Sequence, residues 1–265
     1  MRRHSEAPEA DLRVLPSGTR WRVHGSGSPV TLVAHGLGAT EGEARIPASG
    51  VRGTRVVLTL PGHGAAADPD EDYWDYGNVA ADVLEVADLV GAERAVGVSL
   101  GAGALTRIIA EHPRRFERLA LLLPAAVDRP RGGAVTEVFE RLSSGVRAAS
   151  ADGGARLREL VGRGLPEGTG VGEYVEQRSS TLLRLGAALE TLPHRAPLAD
   201  RSALAAVPSP VLVLGATADP LHDSEVAEQL AAALPEGRLE LFDSVAPMLT
   251  HRAELRGSLS GFLNS

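Results

Sequence analysis

The sequence predicts a doubly wound α/β protein carrying a helical insertion, and three observations predict it. Apolar runs rich in β-branched residues and bounded by turn residues recur at 30–34, 55–60, 95–98, 119–123 and 211–214. They are continuous rather than alternating, as a parallel sheet covered on both faces requires, because both side-chain directions then point into core. Helical periods separate them: Val79, Val83, Val86, Ala87 and Val90 form one face, Leu105, Ile108 and Ile109 begin another, Val226, Leu230, Ala233 and Leu234 mark a third, and Leu255, Leu259, Phe262 and Leu263 a fourth. A further strand is expected at 238–242. Between 128 and 207 the β-like runs stop, and amphipathic stretches at 135–142, 155–161 and 174–189 alternate with Gly- and Pro-containing breaks, including 163–170. Residues 1–127 and 208–265 are therefore expected to form the core, and 128–207 a cap or lid. Its two connections emerge at strand ends, so it would roof a site lying there. The Pro-Ser-Pro at 208–210 reads as the hinge back into the sheet.

Composition excludes several chemistries. All 27 basic residues among the 265 are Arg. Without Lys there is no Walker A lysine, pyridoxal Schiff base or lysine nucleophile. With no Cys there is no disulfide, thiolate metal site or cysteine nucleophile, which suits a reducing compartment. The net charge of −7 repels phosphate backbones and anionic lipid, so the expected partner is a small-molecule substrate, not nucleic acid or a membrane. The first ten residues are charged and lack an apolar signal core, and no apolar run approaches bilayer length, so the expected location is the cytoplasm.

The sharpest motif is Gly97-Val-Ser-Leu-Gly101, set between a predicted strand and a predicted helix. In this context it reads as a nucleophile elbow: the turn is so tight that the residues two before and two after Ser99 must be small. Ser99 then sits at a helix N-terminus whose free N–H groups favour a developing oxyanion. Ala34-His-Gly-Leu-Gly38 follows an earlier strand, where glycines let backbone N–H groups turn inward, and Leu60-Pro-Gly-His-Gly64 follows the next. The main-chain N–H groups of Leu37 and Leu100 are the candidate oxyanion donors, and His35 and His63 are read as structural.

These motifs, with Ala216-Thr-Ala-Asp-Pro-Leu-His222 and a C-terminal histidine in that order, resemble the α/β-hydrolase superfamily along nearly the whole chain. The resemblance implies an α/β-hydrolase fold, a mostly parallel eight-stranded sheet flanked by helices, a helical cap after the sixth strand, and a Ser, acid, His triad in that chain order. It places the acid at Asp219, just beyond the strand at 211–214. Asp128 is the alternative acid and Asp223 a weaker one. In many members the base follows a glycine shortly after the last strand, a place that Pro247 occupies here. His251, in a Thr-His-Arg-Ala-Glu-Leu-Arg stretch similar to one in related hydrolases, is therefore the expected base. His222, His194 and His112 are read as surface or capping residues, and metal-binding His spacings are absent.

The resulting expectation is a serine hydrolase of a carboxylic ester, thioester or lactone that needs no cofactor or metal. Similar proteins that isomerise, cyclise, form carbon–carbon bonds or act as cofactor-free haloperoxidases keep a non-hydrolytic reaction open, and Pro247 keeps a non-catalytic binding protein open. The acidic, aromatic stretch 68–78 is read as a solvated charge run, with Tyr73, Trp74 and Tyr76 as possible linings of a site entrance.

Overall fold

The computed structural model describes residues 13–166 and 173–265. Eight strands form one sheet: β1 (Arg13–Val14), β2 (Arg20–His24), β3 (Val30–Ala34), β4 (Thr54–Thr59), β5 (Arg94–Val98), β6 (Arg118–Leu122), β7 (Val211–Ala216) and β8 (Gly237–Phe242). Their order is β1-β2-β4-β3-β5-β6-β7-β8, with β1 and β2 antiparallel and the rest parallel. Five of the six parallel strands are those the apolar runs predict, and β8 is the further strand expected at 238–242. β1 and β2 carry Arg-Val and Arg-Trp-Arg-Val-His, edge sequences of which only Trp21 is buried, so they lack the continuous apolar signature.

The helices are α1 (Glu41–Arg45), α2 (Tyr76–Val90), α3 (Leu100–Glu111), α4 (Gly133–Asp152), α5 (Ala155–Arg163), α6 (Tyr174–Leu183), α7 (Gly186–Thr191), α8 (Ser224–Ala233), α9 (Pro247–Thr250) and α10 (Arg252–Leu263). α2 starts where the Asp75 carboxylate accepts from the Asn78 N–H at 2.9 Å and stops at Gly91, whose φ of 61° is left-handed. Strand residues alternate between two cores. Leu32, Ala95, Leu119, Leu121, Val211 and Val213 pack with α2, α3 and α8. Val33, Val96, Ala120, Leu122, Leu212 and Leu214 pack with Leu255, Leu259, Phe262 and Leu263 of α10. Each run is continuously apolar because each of its faces meets helices.

Between β6 and β7 the described residues form α4–α7 and two 3-10 turns, with no strand. The stretch at 174–189 divides into two helices at Arg184–Leu185. The predicted break at 163–170 runs partly outside the described residues, and the first ten residues lie wholly outside them. Ser209, between its two prolines, is anchored by a buried 2.5 Å bond to the Phe116 carbonyl.

The chain crosses from β3 to β4 on one side and then to β5 on the other, so the order reverses between β3 and β5. Ala34 pairs with Gly97 there. At such a switch point the loops leaving the two strands part and open a crevice at their carboxyl ends. The loop after β3 and the β5–α3 turn both emerge at this point.

The aromatic stretch is a correction. Tyr73, Trp74 and Tyr76 are buried in the core and none lines the cavity described below. Tyr73 donates to Asp82 at 2.7 Å, and burial followed by the Asp82 charge pushes its hydroxyl far above the ordinary range. Tyr76 fills the space that a side chain at Gly103 would need. With α2 and α3 in close contact, the stretch spends its aromatics on packing.

Candidate active site

Ser99 sits between β5 and α3 with φ 50° and ψ −104°, a conformation L-residues rarely adopt. The surrounding smallness is required. A Cβ on Gly97 would lie 2.5 Å from the Gly101 carbonyl oxygen, and one on Gly101 would lie 2.2 Å from that of Ala34. The elbow is tied down by the Ser99 N–H to the Leu122 carbonyl at 2.9 Å and the Gly101 N–H to the His35 carbonyl at 3.2 Å.

The residue beside Ser99 is His222. Its Nε2 lies 2.9 Å from Ser99 Oγ, and its Nδ1 lies 2.8 Å from Asp219 Oδ2. Local chemistry explains the pairing. After β7, the Asp219 Oδ1 accepts the Leu221 N–H at 2.8 Å, an Asx-type turn with Pro220 at its corner, which curls the chain so that His222 meets the other carboxylate oxygen. A carboxylate only accepts, so Nδ1 carries the proton and Nε2 is left to accept from the Ser99 hydroxyl. Both side chains are largely enclosed, at 12 % and 7 % exposure for His222 and Asp219.

The expectation that His251 stands beside Ser99 is corrected by this geometry. His251 lies between α9 and α10, its Nδ1 2.8 Å from Thr250 Oγ1 and its ring against Phe242, outside the cavity that Ser99 lines. Pro247 does line that cavity. The loop after β8 therefore reaches the site but brings an apolar ring, and the imidazole comes from the loop after β7. Asp128 is engaged elsewhere: against the upward push of burial, Arg201 at 2.8 Å holds its carboxyl below the usual range. Asp223 caps α8 through the Glu225 N–H at 3.0 Å.

The loop after β3 is held by two neutral imidazoles. His35 Nε2 accepts the Leu60 N–H at 3.0 Å with Nδ1 on the Gly36 carbonyl, and His63 Nε2 accepts the Gly38 N–H at 2.9 Å with Nδ1 on the Pro61 carbonyl. Gly36 packs against Ser99, while Gly38, at φ 72°, lies under Leu182 of α6 and passes its carbonyl to Arg178 at 3.2 Å. Among the described residues, neither the Leu37 nor the Leu100 N–H donates to a protein acceptor. Burial lowers the pKa of both imidazoles, His63 strongly. Below about pH 6.5 the unfolded chain gains protons on these rings that the folded chain refuses, so stability present above that pH is lost as pH falls. The expected loss is up to about 1.4 kcal/mol per pH unit for each ring. Thermal melts from pH 7 to 5 should show it, with a shallower fall in His63→Gln, which keeps an acceptor and cannot titrate.

A cavity of about 230 Å³ opens above Ser99, lined by the loops after β3 and β7, by Pro247 and Met248, and by α4–α6. Its wall is mostly apolar, with Leu the commonest residue. Glu43, Tyr174 and Arg178 form one polar group at its edge: Tyr174 donates to Glu43 at 2.9 Å, and Arg178 faces the other oxygen of Glu43 at 3.5 Å. Burial raises the Tyr174 hydroxyl to about 12 and keeps it a neutral donor. Among the described residues no cluster of His, Asp or Glu is arranged to hold a metal, and no helix is long and apolar enough to cross a membrane.

Known proteins carry the same architecture. A hydrolase of Pseudomonas aeruginosa superposes with a TM-score of 0.75 over 97 % of this chain and 100 % of its own, at 23 % identity. An esterase of Exiguobacterium antarcticum gives 0.75 over 96 % and 99 %, at 18 % identity. A Mycobacterium tuberculosis protein provisionally named non-heme bromoperoxidase BpoC is 28 % identical over 224 residues, covering 81 % of this chain and 85 % of its own. Residues 23–256 match the model of the alpha/beta hydrolase family, a span from β2 to α10 that contains the elbow, Asp219 and His222, and the chain belongs to that family.

Proposed function

We propose that the protein hydrolyses a carboxylic ester, thioester or lactone through an acyl-enzyme, with Ser99 as nucleophile, His222 as base and Asp219 as its carboxylate. The observation that carries this reading is the unbroken hydrogen-bonded chain Asp219–His222–Ser99, at 2.8 and 2.9 Å, on the floor of a largely apolar cavity. As Ser99 Oγ attacks the acyl carbon, His222 Nε2 takes its proton, and Asp219 steadies the imidazolium through Nδ1. The Leu37 and Leu100 N–H groups receive the carbonyl oxygen as it gains charge. Collapse breaks the bond to the leaving oxygen or sulfur, which takes the proton from His222. Water, deprotonated by His222, then releases the acid and restores Ser99. Residues 128–207 act as the cap, and the apolar wall favours an apolar acyl chain.

The test is turnover of p-nitrophenyl butyrate followed on the millisecond scale. The expected result is a burst of nitrophenolate with a butyryl group on the Ser99 peptide by tandem mass spectrometry. No turnover, or turnover with the label on another residue, overturns the reading.

The relative BpoC favours one variant of the same chemistry. If hydrogen peroxide replaced water at the second step, the acyl group would leave as a peracid, which oxidises bromide to hypobromite and returns the carboxylic acid. Acetate-dependent bromination with peroxide supports it, and absence of bromination leaves hydrolysis alone.

A further inference from the structure

Arg131 lies between β6 and α4 and is only 9 % exposed. Its backbone N–H bonds the Pro193 carbonyl at 3.2 Å, and its guanidinium carbon stands 4.7 Å from the centre of the Phe139 ring. It lines the cavity above Ser99. Among the described residues the cavity's other charges are matched: Asp219 by His222, and Glu43 with Arg178. Among the described residues, no carboxylate, carbonyl or hydroxyl bonds the Arg131 guanidinium, and its Nε is fully buried without a partner.

A guanidinium cannot shed its proton to escape burial, and a largely buried one on a mostly apolar cavity wall carries a desolvation cost that no protein anion offsets. The Phe139 face offsets only a small part of this. Such a group is worth keeping where an anion completes it, and its planar fork fits a carboxylate through two parallel hydrogen bonds.

We propose that Arg131 is a specificity residue that binds a carboxylate on the acyl part of the substrate, so that the preferred substrate is a half-ester, half-thioester or lactone carrying a free carboxyl group. The inference rests on the hydrolase reading for the bond that is cleaved. Arg131 and Ser99 line the same largely apolar cavity, which suits a methylene chain separating the two functional groups.

Binding and turnover separate the two claims. Isothermal titration calorimetry on Ser99→Ala, using the monomethyl esters of dicarboxylic acids from succinate to suberate and the matching dimethyl esters, should show at one chain length a half-ester bound about tenfold to a hundredfold more tightly than its diester. In Ser99→Ala with Arg131→Met that preference should vanish, and with Arg131→Lys part of it should survive. Thermal melting adds a readout that a structural arginine would move the other way: Arg131→Met removes an unpaired buried charge and should melt at the same or a higher temperature. Equal affinity for half-ester and diester at every length, a preference that survives Arg131→Met, or a lowered melting point in that variant overturns the inference. A half-ester preference in binding with no turnover by the parent would sink the hydrolase reading while leaving Arg131 its ligand. Turnover without preference would do the reverse.

Discussion

Ser99→Ala and His222→Ala are each expected to lower kcat/KM for a simple ester by about 10⁴–10⁶-fold, because a nucleophile and its base act as one unit and losing either removes nearly the whole gain. His251→Ala is expected to stay within about twofold of the parent, since its imidazole bonds Thr250 and packs on Phe242 rather than meeting Ser99. Asp219→Asn should fall between these limits. It keeps the turn but offers an amide where the histidine Nδ1–H needs an anion, which leaves the wrong tautomer and an unsupported imidazolium. Steady-state kinetics on the four variants with one chromogenic ester decide the order. Loss of activity in His251→Ala together with its retention in His222→Ala would reverse the assignment.

The second large effect is on stability. Gly101→Ala places a methyl 2.2 Å from the Ala34 carbonyl oxygen and 2.6 Å from its carbon, both rigid backbone, so α3 must move away from β3. The expected loss is about 3 kcal/mol or more, which lowers the melting temperature by roughly 6–12 °C for a chain of this size. Gly257→Ala in α10 is the control. A Cβ there meets nothing within 4 Å, so the substitution should stabilise by about 0.5–1 kcal/mol through helix propensity and a less flexible unfolded chain. Differential scanning calorimetry reads both. A Gly101→Ala protein melting with the parent would show that the elbow has room for a side chain.

The parallel core was legible because each buried strand carries its signature on consecutive residues, and β5 and α3 meet at a motif whose two glycines are demanded by contacts of 2.2–2.5 Å. The antiparallel edge was not: β1 has two exposed residues, and β2 alternates Arg with Trp and Val. At the site, Ser99 is read from its motif between a strand and a helix, and Asp219 from the resemblance, which places an acid just beyond β7. His222 is not read so, because resemblance directs attention to the loop after β8, where Pro247 stands. The available signal was Asp219-Pro220-Leu221-His222 itself: a carboxylate that closes a turn over proline brings the residue three places on to its second oxygen. Arg131 was invisible for another reason. Nothing along the chain says that a given arginine lies inside a cavity and lacks a partner, since that depends on α4 and the loop before it folding over Ser99.

Activation of Ser99 by His222 is tested most directly by reaction with a fluorophosphonate read by intact-protein mass spectrometry. The parent and His251→Ala should each gain one adduct at the same rate, and Ser99→Ala and His222→Ala should gain none in that time. An adduct that forms on His222→Ala at the parental rate would contradict the account.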